Sequence, residues 1–175
     1  KYGVISDLEL FELLERQGNI SDLSFIKEKL LIEIIKRSAK SKAEIVVKDE
    51  KESGVRAFLN YGHTFGHVIE NLCGYGKWLH GEAVAMGMVA VGQLAVQRGL
   101  WKEIDTKRQQ QLIEKAGLPS KWPELEIDSV ISSLKGDKKV KNGKVSFVMP
   151  LKIGNVKLFN NISNQEIYEC LQKLS

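Results

Sequence analysis

The sequence predicts a mainly α fold, a multi-helix domain with a small β-hairpin near the C-terminus. Apolar residues recur at three- and four-residue steps along most of the chain, residues that cap helices precede several of these stretches, and strict alternation appears only near the end. The 175 residues, 43% of them hydrophobic, suffice to bury an ordinary core. No repeat or linker divides the chain, so we expect residues 1–175 to form a single helical domain.

Two amphipathic patterns predict helices in the first third of the chain. Ser6–Glu9 has the sequence of a capping box, and Gly18 is a plausible stop for the helix that it opens. A longer pattern starts near Asp22 and continues through Ser38 toward Val47. The charged stretch KDEKESG then predicts a loop.

Two helices of different character follow. One is predicted over Gly62–Asn71, and the next over Gly81–Arg98. The second is rich in alanine and glycine, although glycine inside a helix costs about 1 kcal/mol relative to alanine. We therefore expect close packing against neighbouring helices in a buried interior to offset that cost.

Shorter elements complete the chain. Helices are predicted over Thr106–Ala116 and Asp128–Leu134. Asn142-Gly143 between alternating residues is a strong hairpin signal, and Asn155 with its flanks predicts a further extended piece. The last helix is predicted to start at Ser163, which has a glutamate three residues later.

Charge and cysteine content exclude several classes of protein. The net charge is +4, from 26 basic and 22 acidic residues, which suits an anionic small molecule; no run of Lys and Arg interleaved with aromatics predicts nucleic-acid binding. Two cysteines are too few for a disulfide framework, so we expect buried thiols in a reducing, cytoplasmic compartment. The sequence contains no 18-residue apolar stretch, so we expect no membrane span, and no signal peptide is visible. Because the first residue is Lys, we expect a fragment of a longer chain.

All three histidines of the chain fall within one short window. His63 and His67 are four residues apart and share a helix face, and His80 stands where the next helix begins. Two helices joined by a short loop can bring His80 beside His63, and imidazole is a common ligand of divalent metals. A metal site and a set of cap or surface histidines both fit this spacing. Glu70 and Glu82 are candidate third ligands, although Glu82 also suits a helix N-terminus.

Polar residues continue this face toward the N-terminus. Arg56 and Asn60 precede His63 at turn spacing, where an ordinary packing face would carry leucine. Next to a helix of small residues, such a face predicts a cleft lined by these polar side chains, and a solvated surface is the alternative.

The sequence resembles the 3-dehydroquinate synthase family over essentially its whole length. The most specific stretches are RAFLNYGHTFGHVIE and WLHGEAVAMGM, with the hairpin stretch GDKKVKNGKVSFVMPLKIG and the opening KYG, which is similar to the end of the family's AEVIKYG segment. The resemblance implies that this chain is the helical C-terminal, metal- and substrate-binding domain, and that an N-terminal domain absent from this chain binds NAD. Members of the family are commonly dimers.

The resemblance also implies the ligands of a divalent metal, zinc or cobalt. His63 and His80 match the two metal-binding histidines of the family. The third ligand is the glutamate of AEVIK, which would precede Lys1. The resemblance therefore argues against Glu70 and Glu82 as ligands.

Further site residues are implied by matching motifs. His67 matches a histidine that lies near the substrate and not on the metal. The cationic and polar groups that would surround an anionic sugar phosphate are Lys1, Lys42, Arg56, Asn60 and Lys138 or Lys139, with Lys138 preferred.

The implied activity is conversion of 3-deoxy-D-arabino-heptulosonate 7-phosphate to 3-dehydroquinate and phosphate in the shikimate pathway, with transient oxidation by NAD. The isolated chain is expected to be inactive. Two alternatives remain: another sugar-phosphate cyclase such as 2-deoxy-scyllo-inosose synthase, whose substrate lacks the carboxylate, and a non-catalytic helical fragment.

Overall fold

The fold was obtained as a computed structural model that describes residues 1–50, 54–74, 76–136 and 145–174. Helices α1 to α8 span Tyr2–Ile5, Leu8–Glu15, Glu28–Lys48, His63–Cys73, His80–Gln97, Glu103–Lys115, Ile127–Gly136 and Asn164–Gln172, and strands β1 and β2 span Phe147–Lys152 and Asn155–Phe159. Short 3₁₀ turns span Leu23–Phe25 and Val55–Asn60. The mainly α prediction with a hairpin near the C-terminus is confirmed.

Helix α5 forms the centre of the core. Its residues from Ala83 to Gly92 are all buried, as are Leu94 and Ala95, which is the pattern of a helix surrounded by other elements. Helices α4, α6 and α8 and strand β1 pack against it. The expectation that the small-residue helix lies in a closely packed interior is confirmed.

Glycines let α4 and α5 approach until their backbones touch. A Cβ at Gly66 would lie 3.2 Å from the backbone nitrogen of Val84, and one at Gly87 would lie 2.8 Å from the backbone nitrogen of Gly66. Gly62, which precedes α4, has φ of 80°, and a Cβ there would collide with Met88. This contact fixes the start of α4 against the side of α5.

Two predicted helix starts are wrong. Asp7, not Ser6, caps α2: its carboxylate accepts a hydrogen bond from the Leu10 backbone N–H at 2.9 Å. The same carboxylate binds the guanidinium of Arg37 on α3 at 2.7 and 2.9 Å, a contact between helices that local sequence does not show. Near Asp22, the side chain caps only a 3₁₀ turn, and α3 begins at Glu28.

The hairpin is antiparallel and turns at Gly154. Phe147 pairs with Phe159 and Lys152 with Asn155, with an irregularity after Pro150. Gly154 adopts φ of 87°, which suits the tight turn, and its N–H donates to the Val4 carbonyl at 3.0 Å. The extended piece at Asn155 is confirmed as β2, whereas the turn predicted at Asn142-Gly143 lies outside the described residues.

The other predicted helix boundaries hold closely. The helices predicted in the middle of the chain match α4 to α7 to within three residues at each end. Ser163 caps α8 in a capping box with Glu166, as predicted. Both cysteines are free thiols, but the expectation of buried thiols is confirmed only for Cys170, since Cys73 is half-buried. Within the described ranges, none of the helices combines the length and apolar character needed to cross a membrane.

Candidate functional site

The three histidines converge at the N-terminal ends of α4 and α5. His63 is the first residue of α4, His67 follows one turn later, and His80 opens α5. The ring centroids of His63 and His80 are 5.2 Å apart, those of His63 and His67 are 5.8 Å apart, and those of His67 and His80 are 6.1 Å apart. The convergence follows from the backbone contact between the two helices.

His63 is oriented by a backbone carbonyl two residues earlier in the sequence. Its Nδ1 lies 3.1 Å from the carbonyl oxygen of Tyr61, which can only accept, so Nδ1 carries the proton and the Nε2 lone pair is available. Burial lowers the pKa of His63, and the charges of Lys1, His80 and His67 lower it further. Together these effects outweigh the opposing effect of the Tyr61 contact and bring the pKa to about 4. The imidazole is therefore neutral at physiological pH.

His80 is oriented by a carboxylate from the other helix. Its Nδ1 lies 3.0 Å from Glu70 Oε1, and Glu70 is largely buried, with a side chain 17% exposed, whereas the imidazole is 57% exposed. Ligand atoms of His67, Glu70 and His80 lie within 4.8 Å of one another. The structure therefore places the Glu70 carboxylate within the histidine cluster.

Glu82 has a different role. Its carboxylate accepts from the backbone N–H of Leu79 at 2.7 Å and so caps the start of α5. This contact agrees with the expectation that Glu82 serves as an acidic residue at a helix N-terminus.

Two lysines bring positive charge toward the cluster, Lys1 at the N-cap of α1 and Lys42 on α3. Lys1 Nζ donates to the Leu59 carbonyl at 3.1 Å. Packing around Lys1, ahead of repulsion from Lys42, lowers the pKa of its ammonium group. Lys42 is exposed on α3. The positive charge of Lys1 lowers the pKa of His63, and that of Lys42 lowers the pKa of Lys1, so each pair is close enough to interact electrostatically.

Arg56 and Asn60 lie on the 3₁₀ turn that leads into α4. The Arg56 guanidinium donates to the Glu50 carbonyl at 3.1 Å, and its backbone N–H donates to the Asp49 carboxylate at 2.9 Å. Asn60 is half-buried at the end of the turn. Lys138 and Lys139 lie outside the described residues, so their placement stays a prediction.

A cavity of about 340 Å³ opens beside the histidines. His63, His80 and Lys1 line it on one side, and apolar residues of α1, α2, α5 and α6 line the rest. Gln109 also faces it and is 1% exposed. A cleft beside the histidines was expected, but its mostly apolar lining was not.

A buried polar pair beneath the site was missed at the level of sequence. The hydroxyl of Tyr61 donates to Gln109 Oε1 at 2.6 Å, and the Gln109 amide donates to the Met88 carbonyl at 2.9 Å. Tyr61 also supplies the carbonyl that orients His63, so this pair fixes the turn that precedes the histidine. Gln109 lies 48 residues further along the chain, and no local pattern links it to Tyr61.

This helical domain, with its cluster of imidazoles beside cations, shares its fold with about half of each of two solved sugar-phosphate cyclases. The structure is similar to that of 2-epi-5-epi-valiolone synthase from Streptomyces hygroscopicus subsp. jinggangensis 5008, solved with NAD⁺ and Zn²⁺ bound, with a TM-score of 0.86 and 26% identity over 99% of this chain and 48% of that chain. A 2-deoxy-scyllo-inosose synthase complexed with carbaglucose-6-phosphate, NAD⁺ and Co²⁺ shares the fold at a TM-score of 0.79 and 23% identity, covering 99% of this chain and 50% of that one.

Sequence relatives narrow the class. The family model for the C-terminal part of 3-dehydroquinate synthase matches residues 1–140, so the chain belongs to the 3-dehydroquinate synthase family. It is 90% identical over 175 residues to 3-dehydroquinate synthase of Prochlorococcus marinus strain NATL2A and 55% identical over 174 residues to that of Synechococcus sp. strain CC9605. These matches cover 100% and 99% of the chain, and the chain spans about half of these relatives, 48% and 47% of their lengths.

Proposed function

We propose that this chain is the C-terminal, metal- and substrate-binding domain of a 3-dehydroquinate synthase, which converts 3-deoxy-D-arabino-heptulosonate 7-phosphate to 3-dehydroquinate and phosphate. The observation that carries the proposal is the convergence of His63, His67 and His80 beside Lys1 in a chain of this family. The other half of the protein would supply an NAD-binding domain, and the enzyme would act as a homodimer in the cytoplasm.

The donor set suits zinc or cobalt. His63 and His80 each place Nδ1 against an acceptor, which leaves both Nε2 atoms free for an ion. The resemblance adds a glutamate from the segment before Lys1 as the third ligand. When bound, the metal lowers the pKa of the substrate hydroxyl and polarises the carbonyl that replaces it.

The surrounding residues suit a substrate with a carboxylate at one end and a phosphate at the other. Lys42, Arg56 and Lys138 would supply fixed positive charge, and the planar guanidinium of Arg56 can bind an oxyanion through two N–H groups. Asn60 donates to a phosphate oxygen without adding charge. Lys1 lines the site beside His63, and His67, one turn along α4, is placed to move a proton.

The relatives do not favour the alternative of a cyclase for a substrate without a carboxylate, since relatives 87% and 90% identical to this chain are named 3-dehydroquinate synthase. The test is release of inorganic phosphate by the full-length protein with NAD and Zn²⁺. We expect release from 3-deoxy-D-arabino-heptulosonate 7-phosphate and much less from glucose 6-phosphate. Preference for glucose 6-phosphate would refute the proposal, as would robust turnover by the isolated 175-residue chain.

Variants separate the metal site from the substrate site. His63→Ala and His80→Ala should remove Zn²⁺, measured by competition with a chelator, whereas His67→Ala should retain Zn²⁺ and lower kcat. Lys42→Ala should raise KM about 10- to 100-fold, because a hydrogen bond to a charged group contributes about 1.5–3 kcal/mol. Lys36→Ala, an exposed lysine on the same helix, is the matched control and should leave KM unchanged.

A further inference from the structure

We propose that Glu70 is a positioning residue that holds the imidazole of His80 ready for the metal. The inference rests on the proposed function and assigns a role to a carboxylate that lies on α4, one helix away from the histidine it contacts. The contact is the 3.0 Å approach of Glu70 Oε1 to His80 Nδ1.

The two candidate ligands are held in different ways. His63 lies against the carbonyl of Tyr61, two residues earlier in its own chain, and is partly buried. His80 opens α5 after a loop that contains Gly74 and Gly76, both with positive φ, and more than half of its imidazole is exposed. An exposed ring after such a loop needs an anchor to keep one rotamer, and Glu70 supplies it from a largely buried position.

The anchor also sets the chemistry of the ring. A carboxylate accepts from an N–H, so Glu70 places the proton of His80 on Nδ1 and leaves the lone pair on Nε2. Glu82 does not compete for this role, since its carboxylate is engaged by the Leu79 N–H.

The geometry favours a positioning role over direct ligation. An ion bound to Nε2 lies about 2.0–2.1 Å beyond that atom, on the side of the ring that faces away from Nδ1. Glu70 Oε1 lies against Nδ1, and so on the opposite side of the imidazole from such an ion. Direct ligation by Glu70 is the alternative, since ligand atoms of His67, Glu70 and His80 lie within 4.8 Å of one another, and the experiment must separate the two roles.

The experiment compares Glu70→Ala, Glu70→Gln and His80→Ala in the full-length protein, with Glu103→Gln as the matched control. Glu103 is an exposed glutamate at the start of α6, beyond the end of α5 opposite to His80. Zn²⁺ affinity is measured by competition with a chromophoric chelator, and the coordination of Co²⁺ is read from its visible absorption spectrum. Phosphate release is measured alongside.

We expect Glu70→Ala to weaken Zn²⁺ binding about 10- to 100-fold, the range typical of partners that orient a metal-binding histidine. Glu70→Gln should recover part of that loss, because the amide oxygen still accepts from Nδ1–H. Both variants should keep the intensity of the Co²⁺ spectrum that marks an unchanged number of ligands. His80→Ala should change that intensity, and Glu103→Gln should match the unmodified protein.

Two results would overturn the inference. One is a Zn²⁺ affinity in both Glu70 variants equal to that of Glu103→Gln. The other is a Co²⁺ spectrum altered by Glu70→Ala in the same way as by His80→Ala, which would make Glu70 a ligand. If Glu70→Ala does not fold, Glu70→Gln must still bind Zn²⁺ severalfold more weakly than the control. In contrast, full Zn²⁺ binding by His80→Ala, or no phosphate release by the unmodified protein, would count against the proposed function itself.

Discussion

Gly87→Ala tests whether backbone contact between α4 and α5 builds the site. Helix propensity alone predicts a gain, because alanine is favoured over glycine by about 1 kcal/mol inside a helix. The structure predicts the opposite sign. A Cβ at Gly87 would lie 2.8 Å from the backbone nitrogen of Gly66 and nearer still to the carbonyl oxygen of Gly62. Both atoms belong to the main chain, so no side chain can rotate away.

The magnitude follows from the two opposing effects. Overpacking a well-packed core costs about 1–3 kcal/mol, and contact with main-chain atoms puts Gly87→Ala at the upper end of that range. After the gain of about 1 kcal/mol from propensity, we expect a net loss of about 2 kcal/mol in the free energy of unfolding. The forced separation of the helices would also move His63, which follows Gly62 directly, so Zn²⁺ affinity should fall.

The assay is urea unfolding of the metal-free protein followed by circular dichroism, with a parallel Zn²⁺ titration. Gly81→Ala is the control, because Gly81 lies on the same helix and a Cβ built there meets no described heavy atom within 4 Å apart from its chain neighbours and its own helix backbone. We expect Gly81→Ala to unfold at the same or a higher urea concentration. If Gly87→Ala is as stable as Gly81→Ala, the backbone contact does not determine how the helices pack.

Two further predictions concern the surroundings of His63. Gln109→Leu should cost about 1–3 kcal/mol of stability, because it leaves the buried hydroxyl of Tyr61 without an acceptor; adding Tyr61→Phe should restore part of the loss, and a double variant no more stable than Gln109→Leu would contradict the role of the pair. The metal-free protein should lose stability as the pH falls from 6.5 toward about 4, because the unfolded chain binds a proton in this window that folded His63, with its lowered pKa, does not. Unfolding midpoints across this pH range should depend less on pH in His63→Gln, and an unchanged slope in that variant would refute the assignment.

The helix boundaries show how far local sequence reaches. The capping box at Ser163 was predicted correctly because both of its partners lie within four residues. At the start of α2, Ser6 and Asp7 are both favourable capping residues, and local sequence does not choose between them. Asp7 caps the helix and also binds Arg37, thirty residues later, so the outcome depends on how α3 packs.

The same limit applies at the site. The window from His63 to His80 predicted that imidazoles from two helices meet, since the helices are consecutive and the loop between them is short. It did not predict that Glu70 would meet His80, because residues ten apart share no fixed geometry across a loop. The Tyr61–Gln109 pair lies further still beyond the reach of a local pattern.

The sequence by itself determined the fold class, the succession of helices and the window in which the three histidines can meet, because periodicity and spacing act over a few residues. Only the tertiary structure decided which Nδ1 meets which acceptor, how closely α4 and α5 approach and where a cavity remains. These features depend on contacts between segments far apart in the chain, which form only when the helices pack around α5.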